Sequence, residues 1–130
     1  APEGWHVASA DEWKQFEMHQ GISQSEADAE GFRGSNQGSK LAGNAVLWQN
    51  EALENNAEFG ISGLNLIPGG WRAGDGNGFS YNMAQVAYSW SSSVYDSSQA
   101  WMRGINYNDP RIYRDFIDKT TGVSIRLLKD

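Results

Sequence analysis

The stretch Ser89 to Arg126, SWSSSVYDSSQAWMRGINYNDPRIYRDFIDKTTGVSIR, decides how this chain is read. It contains three short strand-like segments separated by turn residues. In the first, Trp101, Arg103, Ile105 and Tyr107 alternate with Met102, Gly104 and Asn106. In the second, Ile112, Arg114 and Phe116 alternate with Arg111, Tyr113, Asp115 and Ile117. Alternation with period two sends one set into a core and the other to the opposite face of a sheet. Asn108-Asp109-Pro110 between them predicts a turn, because proline fixes its own φ and Asn and Asp tolerate turn conformations. Lys119-Thr120-Thr121-Gly122 leads into a third segment, Val123 to Leu128, with Val123, Ile125 and Leu127 on one side. The expected result is an antiparallel ladder presenting a mixed polar, aromatic and acidic panel.

The rest of the composition narrows the setting. A chain of 130 residues is most simply one domain with a single modest core, spanning 1–130. Apolar residues make up 39% and there are six tryptophans, which argues against disorder, while 15 glycines predict many loops. The formal net charge of -6, with Lys and Arg scattered, disfavours nucleic acid as a partner, since phosphate binding needs a concentrated basic surface. With no cysteine there is no disulfide, thiolate catalysis or Cys-containing metal site. No apolar run approaches the roughly 20 residues of a membrane span, so membrane insertion is not expected. The start, Ala-Pro-Glu-Gly, reads as that of a trimmed or mature fragment that carries no address signal.

Outward from the ladder, Trp5-His6-Val7 predicts a short first strand. Ser9-Ala10-Asp11-Glu12 fits a capping box opening a helix that carries Trp13, Phe16 and Gln20 and stops at Gly21. A second helix is expected from Ser23 or Ser25 through Glu30, ending at Gly31. Gly34 to Ser39 reads as a flexible loop, followed by short apolar segments at Leu41 and at Val46-Leu47-Trp48. Asn50 to Glu58 reads as loop or a helical turn. Order returns from Phe59 to Leu66; a Pro68-Gly69-Gly70 turn follows, and Arg72 to Phe79 forms a hairpin tip.

Several catalytic and ligand motifs fail on their spacing. Gly34 to Lys40 lacks the Gly-Lys-Ser/Thr end of a phosphate loop, and Gly74-x-Gly76-x-Gly78 lacks the third glycine of a dinucleotide fingerprint. There is no Gly-x-Ser-x-Gly elbow, and His6 and His19 have no triad context. His6 is better read as a strand residue making an ordinary hydrogen bond. Asp75-Gly76-Asn77 opens like a calcium loop but has no downstream bidentate Glu, so a plain turn and no metal are expected. Asp96, Asp109, Asp115 and Asp118 lie close enough in sequence for a carboxylate-dependent glycoside hydrolase, yet no spacing singles out an acid. Arg103 and Arg114 fall in register with apolar residues. A structural role, with the stem packed and the head on a carboxylate or carbonyls, is favoured over an anion pocket. The opposite set, Met102, Gly104, Asn106, Arg111, Tyr113, Asp115 and Ile117, is the better candidate for recognition, because Tyr, Arg, Asn and Asp combine hydrogen bonding with rigid contact area.

The chain also resembles a known family. Gly4-Trp5-His6-Val7, Asp11-Glu12-Trp13, Leu64-x-x-x-Pro68-Gly69-Gly70-Trp71-Arg72, Trp90-Ser91-Ser92-Ser93, Ala100-Trp101-x-Arg103, Tyr107, Ile112-x-Arg114 and Lys119-x-x-Gly122-x-Ser124-x-Arg126 occur in order. Together they resemble the Fibrobacter succinogenes major paralogous domain, a bacterial and viral family. Gly31 to Glu58 matches that pattern poorly, and Leu127 stands where many members have cysteine. The resemblance implies an α+β, C-type-lectin-like fold: two helices on twisted antiparallel strands, with many loops. The chain is also similar to the formylglycine-generating enzyme group, whose oxidase chemistry uses cysteines that are absent here. The Glu-Pro-Asn or Gln-Pro-Asp and Trp-Asn-Asp sets of calcium-dependent lectins are absent too.

Some C-type-lectin-like domains are variable proteins of diversity-generating retroelements, in which adenine-directed mutation rewrites C-terminal codons. A mutated Asn codon yields residues such as Gly, Asp, Arg, Tyr, Phe, Ile, Ser and Thr, but not Met, Lys, Gln, Glu or Trp. Residues 104, 106, 108, 109, 111, 113, 115, 116, 117 and 118 all fall in the permitted set, whereas Gln99 and Met102 do not. The expectation is therefore a non-enzymatic receptor-binding or adhesin domain that needs no cofactor. Its partner would be a protein or glycan on another surface, and its place a cell surface, a virion or the extracellular space. Its contact residues would be Ser89, Tyr95, Asp96, Ser98, Met102, Gly104, Asn106, Asn108, Asp109, Arg111, Tyr113, Asp115, Phe116, Ile117 and Asp118. An undiversified surface or pilus-tip adhesin binding glycan is the alternative, and the hydrolase a third.

Overall fold

The computed structural model describes residues 1–130 and opens with strand β1 (Trp5–Val7), followed by helix α1 (Ala10–His19). The capping box forms as expected: the Ser9 hydroxyl accepts from the Glu12 amide, and the Glu12 carboxylate accepts from the Ser9 amide. Helix α2 (Gln24–Asp28) starts on a second capping box, Ser23 with Glu26. Strand β2 (Gly31–Arg33) and helix α3 (Gln37–Leu41) follow, then a 3-10 turn at Ala45–Leu47. The hairpin expected around Arg72 to Phe79 is bounded by β3 (Trp71–Arg72) and β4 (Ser80–Tyr81). The long strands are β5 (Val86–Val94), β6 (Gln99–Asn106) and β7 (Asp109–Asp118), and the chain closes with β8 (Ser124–Ile125) and β9 (Leu127–Lys129). The architecture is α+β, with three short to medium helices and mixed sheets.

The main sheet has five strands in the order β2-β7-β6-β5-β8, and β1 pairs with β9 in a separate ribbon. Three sequence expectations change here. Tyr107 and Asn108 alone make the β6–β7 turn, so Asp109 and Pro110 already belong to β7. Proline is tolerated there because β2 pairs only with residues 112–114, leaving Pro110 no ladder bond to give on that side. The segment Val123 to Leu128 is not a third rung beside β7. It crosses to the far edge, pairs parallel with β5 through Ser124 and Ile125, and then leaves to join β1. Finally, Gly34 to Ser39 is not wholly a loop. Gly38 belongs to α3, where a Cβ would stand 2.3 Å from the Arg111 carbonyl oxygen, and buried Ser39 donates to the Leu53 carbonyl.

The core lies between α1, α3 and the inner face of the sheet, and includes Trp13, Leu41, Trp48, Leu53, Leu66, Ala87, Ile105 and Ile112. At its margin sits a buried charge group. Glu17 comes from the same helical stripe as Trp13 and is 0% exposed, and its two carboxylate oxygens take Arg33 and Arg103 separately. Two guanidiniums facing one carboxylate leave excess positive charge. Backbone carbonyls absorb it: Arg33 also donates to Ala27 and Ile112, and Arg103 to Ala10 and Met102. Arg114 donates to the Asp28 and Ala29 carbonyls at the end of α2, and its guanidinium lies 3.8 Å from the Trp101 ring centre. Arg103 and Arg114 thus have the structural role favoured from sequence. Burial pulls the Arg103 guanidinium down to about 10.

Glu17→Gln removes the only buried carboxylate of this group while leaving its arginines inside. It should lower the unfolding free energy by about 3–5 kcal/mol, read as a fall in urea midpoint at unchanged slope.

A second, exposed network ties α1 to both chain ends. His6 bonds Asp130 through Nδ1 at 2.7 Å and Glu12 through Nε2 at 2.8 Å. These bonds, Asp130's first, raise His6 above 6.5. Glu12 is held at about 2, mainly by the Ser9 amide and then by His6. A raised native value means that the folded chain binds the His6 proton more tightly. Its stabilising contribution is then complete below 6.5 and fades as pH rises through the native value. The stability difference between the wild type and His6→Gln, measured by denaturation from about pH 5.5 to about pH 8, should shrink with rising pH.

Candidate recognition surface

Strand register assigns the two faces of the sheet. Ala87, Ser89, Arg103, Ile105, Ile112 and Arg114 turn toward α1 and the core. The other face carries two rows of side chains that run across the strands. One row is Tyr88, Gly104, Tyr113 and Phe32, on β5, β6, β7 and β2; the next is Trp90, Met102 and Asp115. Arg111 and Ile117 extend the same face along β7.

The first row is almost continuously aromatic. Gly104 makes this possible: a Cβ there would come within 2.7 Å of two Tyr88 ring carbons, so the Tyr88 ring covers its backbone. Tyr113 meets Phe32 with ring centres 5.0 Å apart, and the Arg111 guanidinium lies 5.1 Å from the Phe32 ring centre. Phe32 is 37% exposed, and Tyr88, Trp90 and Tyr113 are half-buried. The Tyr113 hydroxyl donates to Asp115 Oδ2 at 2.5 Å, and Asp115 Oδ1 accepts the Phe116 amide at 2.8 Å. The bond to Asp115, with burial behind it, pushes the Tyr113 phenol up to about 12.

The alternation of β7 places Tyr113 and Asp115 opposite Ile112 and Arg114, as expected. Four expected contact residues are placed differently. Ser89 is buried on the inner face opposite Arg103. Met102 is on the outer face but only 1% exposed, because it lies between Trp90 and Asp115 on the central strand. Gly104 is buried beneath Tyr88. Phe116 is on the opposite side from Tyr113, stacked on Tyr95 with ring centres 3.7 Å apart and edge-on to Trp101.

The remaining expected residues sit at the two ends. Tyr95, Asp96 and Ser98 are exposed in the β5–β6 turn, where Asp96 Oδ1 accepts the amides of Ser98 and Gln99. Those bonds, Ser98's first, lower Asp96, and Lys119 clamps the turn by donating to the carbonyls of Asp96 and Ser97. At the other end Asn108 is exposed and Asn106 half-buried, while Asp109 pairs with Arg111 at 2.7 Å. Desolvation opposes the shift of Asp109, but the bonds from Arg111 hold it below the usual carboxylate range. Asp96 and Asp109 are thus displaced opposite to what a general acid needs. Asp118 is exposed at the end of β7.

Phe32, Tyr88 and Trp90 were not among the sequence candidates. Val86, Tyr88 and Trp90 repeat with period two, which was a usable signal; Phe32 lies in a three-residue strand too short to show one. A concavity of about 440 Å³ over Trp13, Phe16, Leu64 and Leu128 belongs to the α1 side, and a smaller one of about 220 Å³ reaches Tyr88 from the β5–β8 edge.

These features define an α+β domain with one sheet face closed by helices and the other tiled by half-buried aromatic side chains. The family model described as the Fibrobacter succinogenes major domain matches residues 1–129, and the chain belongs to that family. No curated protein and no solved structure matches it.

Gly104→Ser should force the Tyr88 ring aside at a cost of about 1–3 kcal/mol. In a thermal-melt double-mutant cycle, most of that loss should disappear when Tyr88→Ala is already present.

Proposed function

We propose that this domain is a non-enzymatic ligand-binding module of C-type-lectin-like organisation, working as a receptor-binding or adhesin unit at a cell surface, on a virion or outside the cell. Its ligand is a protein or glycan on another surface. Three helices beside a largely antiparallel sheet, with long irregular connections, support the fold reading, although that reading expects two. The observation that carries the functional reading is the division of labour along β7. Ile112 and Arg114 are buried, while Arg111, Tyr113, Asp115 and Ile117 face the other way. Side chains of the second set can change without altering what packs on the core. Such a strand suits a surface diversified by a retroelement, and the permitted residues at 108, 109, 111, 113, 115, 117 and 118 lie on it or in its turn. Gly104, under Tyr88, and Phe116, on the other side, are the less suitable positions.

A labelled domain applied to a glycan array and to a panel of bacterial cells should bind one of them saturably. Tyr113→Ala with Asp115→Ala should abolish that binding in a domain that still melts cooperatively, although loss of the ring's packing on Phe32 lowers its melting temperature. Binding that survives the double change would place recognition elsewhere. Diversification predicts isolates whose differences concentrate at the β7 codons, beside a reverse transcriptase and a near-identical template repeat; a fixed β7 would remove it.

A further inference from the structure

Asp115 is the one acidic side chain set within the aromatic rows, and what holds it differs from what holds Asp96 and Asp109. Asp109 has Arg111, and the exposed Asp96 spends an oxygen on its own turn. Asp115 accepts only a phenol and an amide, both neutral donors. The neighbouring cations are committed elsewhere. Arg111 is held by Asp109, Lys119 by two carbonyls of the β5–β6 turn, and Arg114 lies on the inner face. The negative charge of Asp115 therefore has hydrogen bonds but no counter-ion.

Its surroundings suit a cation. Tyr113 flanks Asp115 along the strand, Met102 is its cross-strand neighbour, and Trp90 lies beyond Met102. The diagonal positions on β6 are Gly104 and Ala100, both small, so the only bulk beside the carboxylate on β6 is Met102, itself buried under its neighbours. Aromatic faces attract cations through their quadrupole, and a guanidinium can lie flat against a ring while donating to a carboxylate edge. The formal charge of -6 adds a long-range bias in the same direction.

Resting on the reading of this face as a recognition surface, we infer that Asp115, framed by Tyr113, Tyr88 and Trp90, receives a basic side chain, Arg or Lys, of a protein partner. Tyr113 is a positioning residue here. Its hydroxyl donates to Oδ2 and, with the Phe116 amide on Oδ1, fixes the carboxylate rotamer. The partner chemistry is thereby narrowed from any protein or glycan to a protein segment with an exposed cation.

The test is a ¹H–¹⁵N NMR titration of the folded domain with acetyl-Gly-Arg-Gly-amide, and in parallel with its citrulline counterpart, which has nearly the same shape without the charge. The arginine peptide should move the amides of Met102, Gly104, Tyr113 and Asp115 saturably. Its affinity should exceed that of the citrulline peptide at least about fivefold, and fall by a similar factor in Asp115→Asn. Tyr113→Phe, which keeps the ring but loses the bond to Asp115, should weaken binding less than Asp115→Asn. Equal affinity for the two peptides, shifts confined to other residues, or no saturable shift would each overturn the inference. If the arginine peptide fails while Tyr113→Ala/Asp115→Ala still abolishes binding to cells or glycans, recognition by this face stands and its preference for cations falls. If both fail, the face is not the binding surface.

Discussion

The carboxylate of Glu17 is the point on which the two halves of the molecule are joined. It comes from α1, and its partners come from β2 and β6, so a single acidic residue fixes the helix against both an edge and the centre of the sheet. Removing three charged groups from water is costly, and the pairing offsets that cost only if every polar atom is used. Most are: the carbonyls of Ala10, Ala27, Met102 and Ile112 accept what Glu17 cannot. Charges held in this way tolerate little sliding, because a shift of one residue along the sheet would leave an arginine buried and unpaired. The ion group therefore selects the register more than it adds net stability.

That register is what makes the outer face possible. With Arg103 and Arg114 committed inward, their strand neighbours must point outward, and the rows of Tyr88–Gly104–Tyr113–Phe32 and Trp90–Met102–Asp115 follow. The aromatic rings shield the central strand from water in place of a second layer of helices. The price is that small or flexible residues beneath them, Gly104 and Met102, become part of the packing.

Much of this was readable from the residues alone, for local reasons. Ser9 and Glu12 announce α1, because both halves of a capping box are encoded within four residues. The alternation around Ile112 and Arg114 sorts β7, because period two needs no knowledge of the rest of the fold. What could not be read depends on distant partners. Gly31–Arg33 becomes a strand only because β7 offers it an edge, and Gln37–Leu41 becomes helical against Arg111 although its Gly and Ser suggest a loop. The destination of Val123 to Leu128 is not legible in the same way, since a short apolar run does not say which strand it joins. Met102 shows a subtler limit: its side of the sheet follows from its position, but its burial follows from the size of Trp90 and its other neighbours. Glu17, an acid on the buried stripe of Trp13, is a signal in its own right, but its arginine partners lie far along the chain.

The ribbon of β1 and β9 has a mechanical meaning. Trp5 faces Lys129, and the Asp130 amide donates to the Gly4 carbonyl at 3.0 Å, so the incoming and outgoing chain lie side by side. Tension applied between those two ends would open this three-pair ladder like a zipper, one bond after another. Bonds in that geometry are loaded singly, not together. The ribbon would part at low force, and the load would reach the five-stranded sheet only after it had opened.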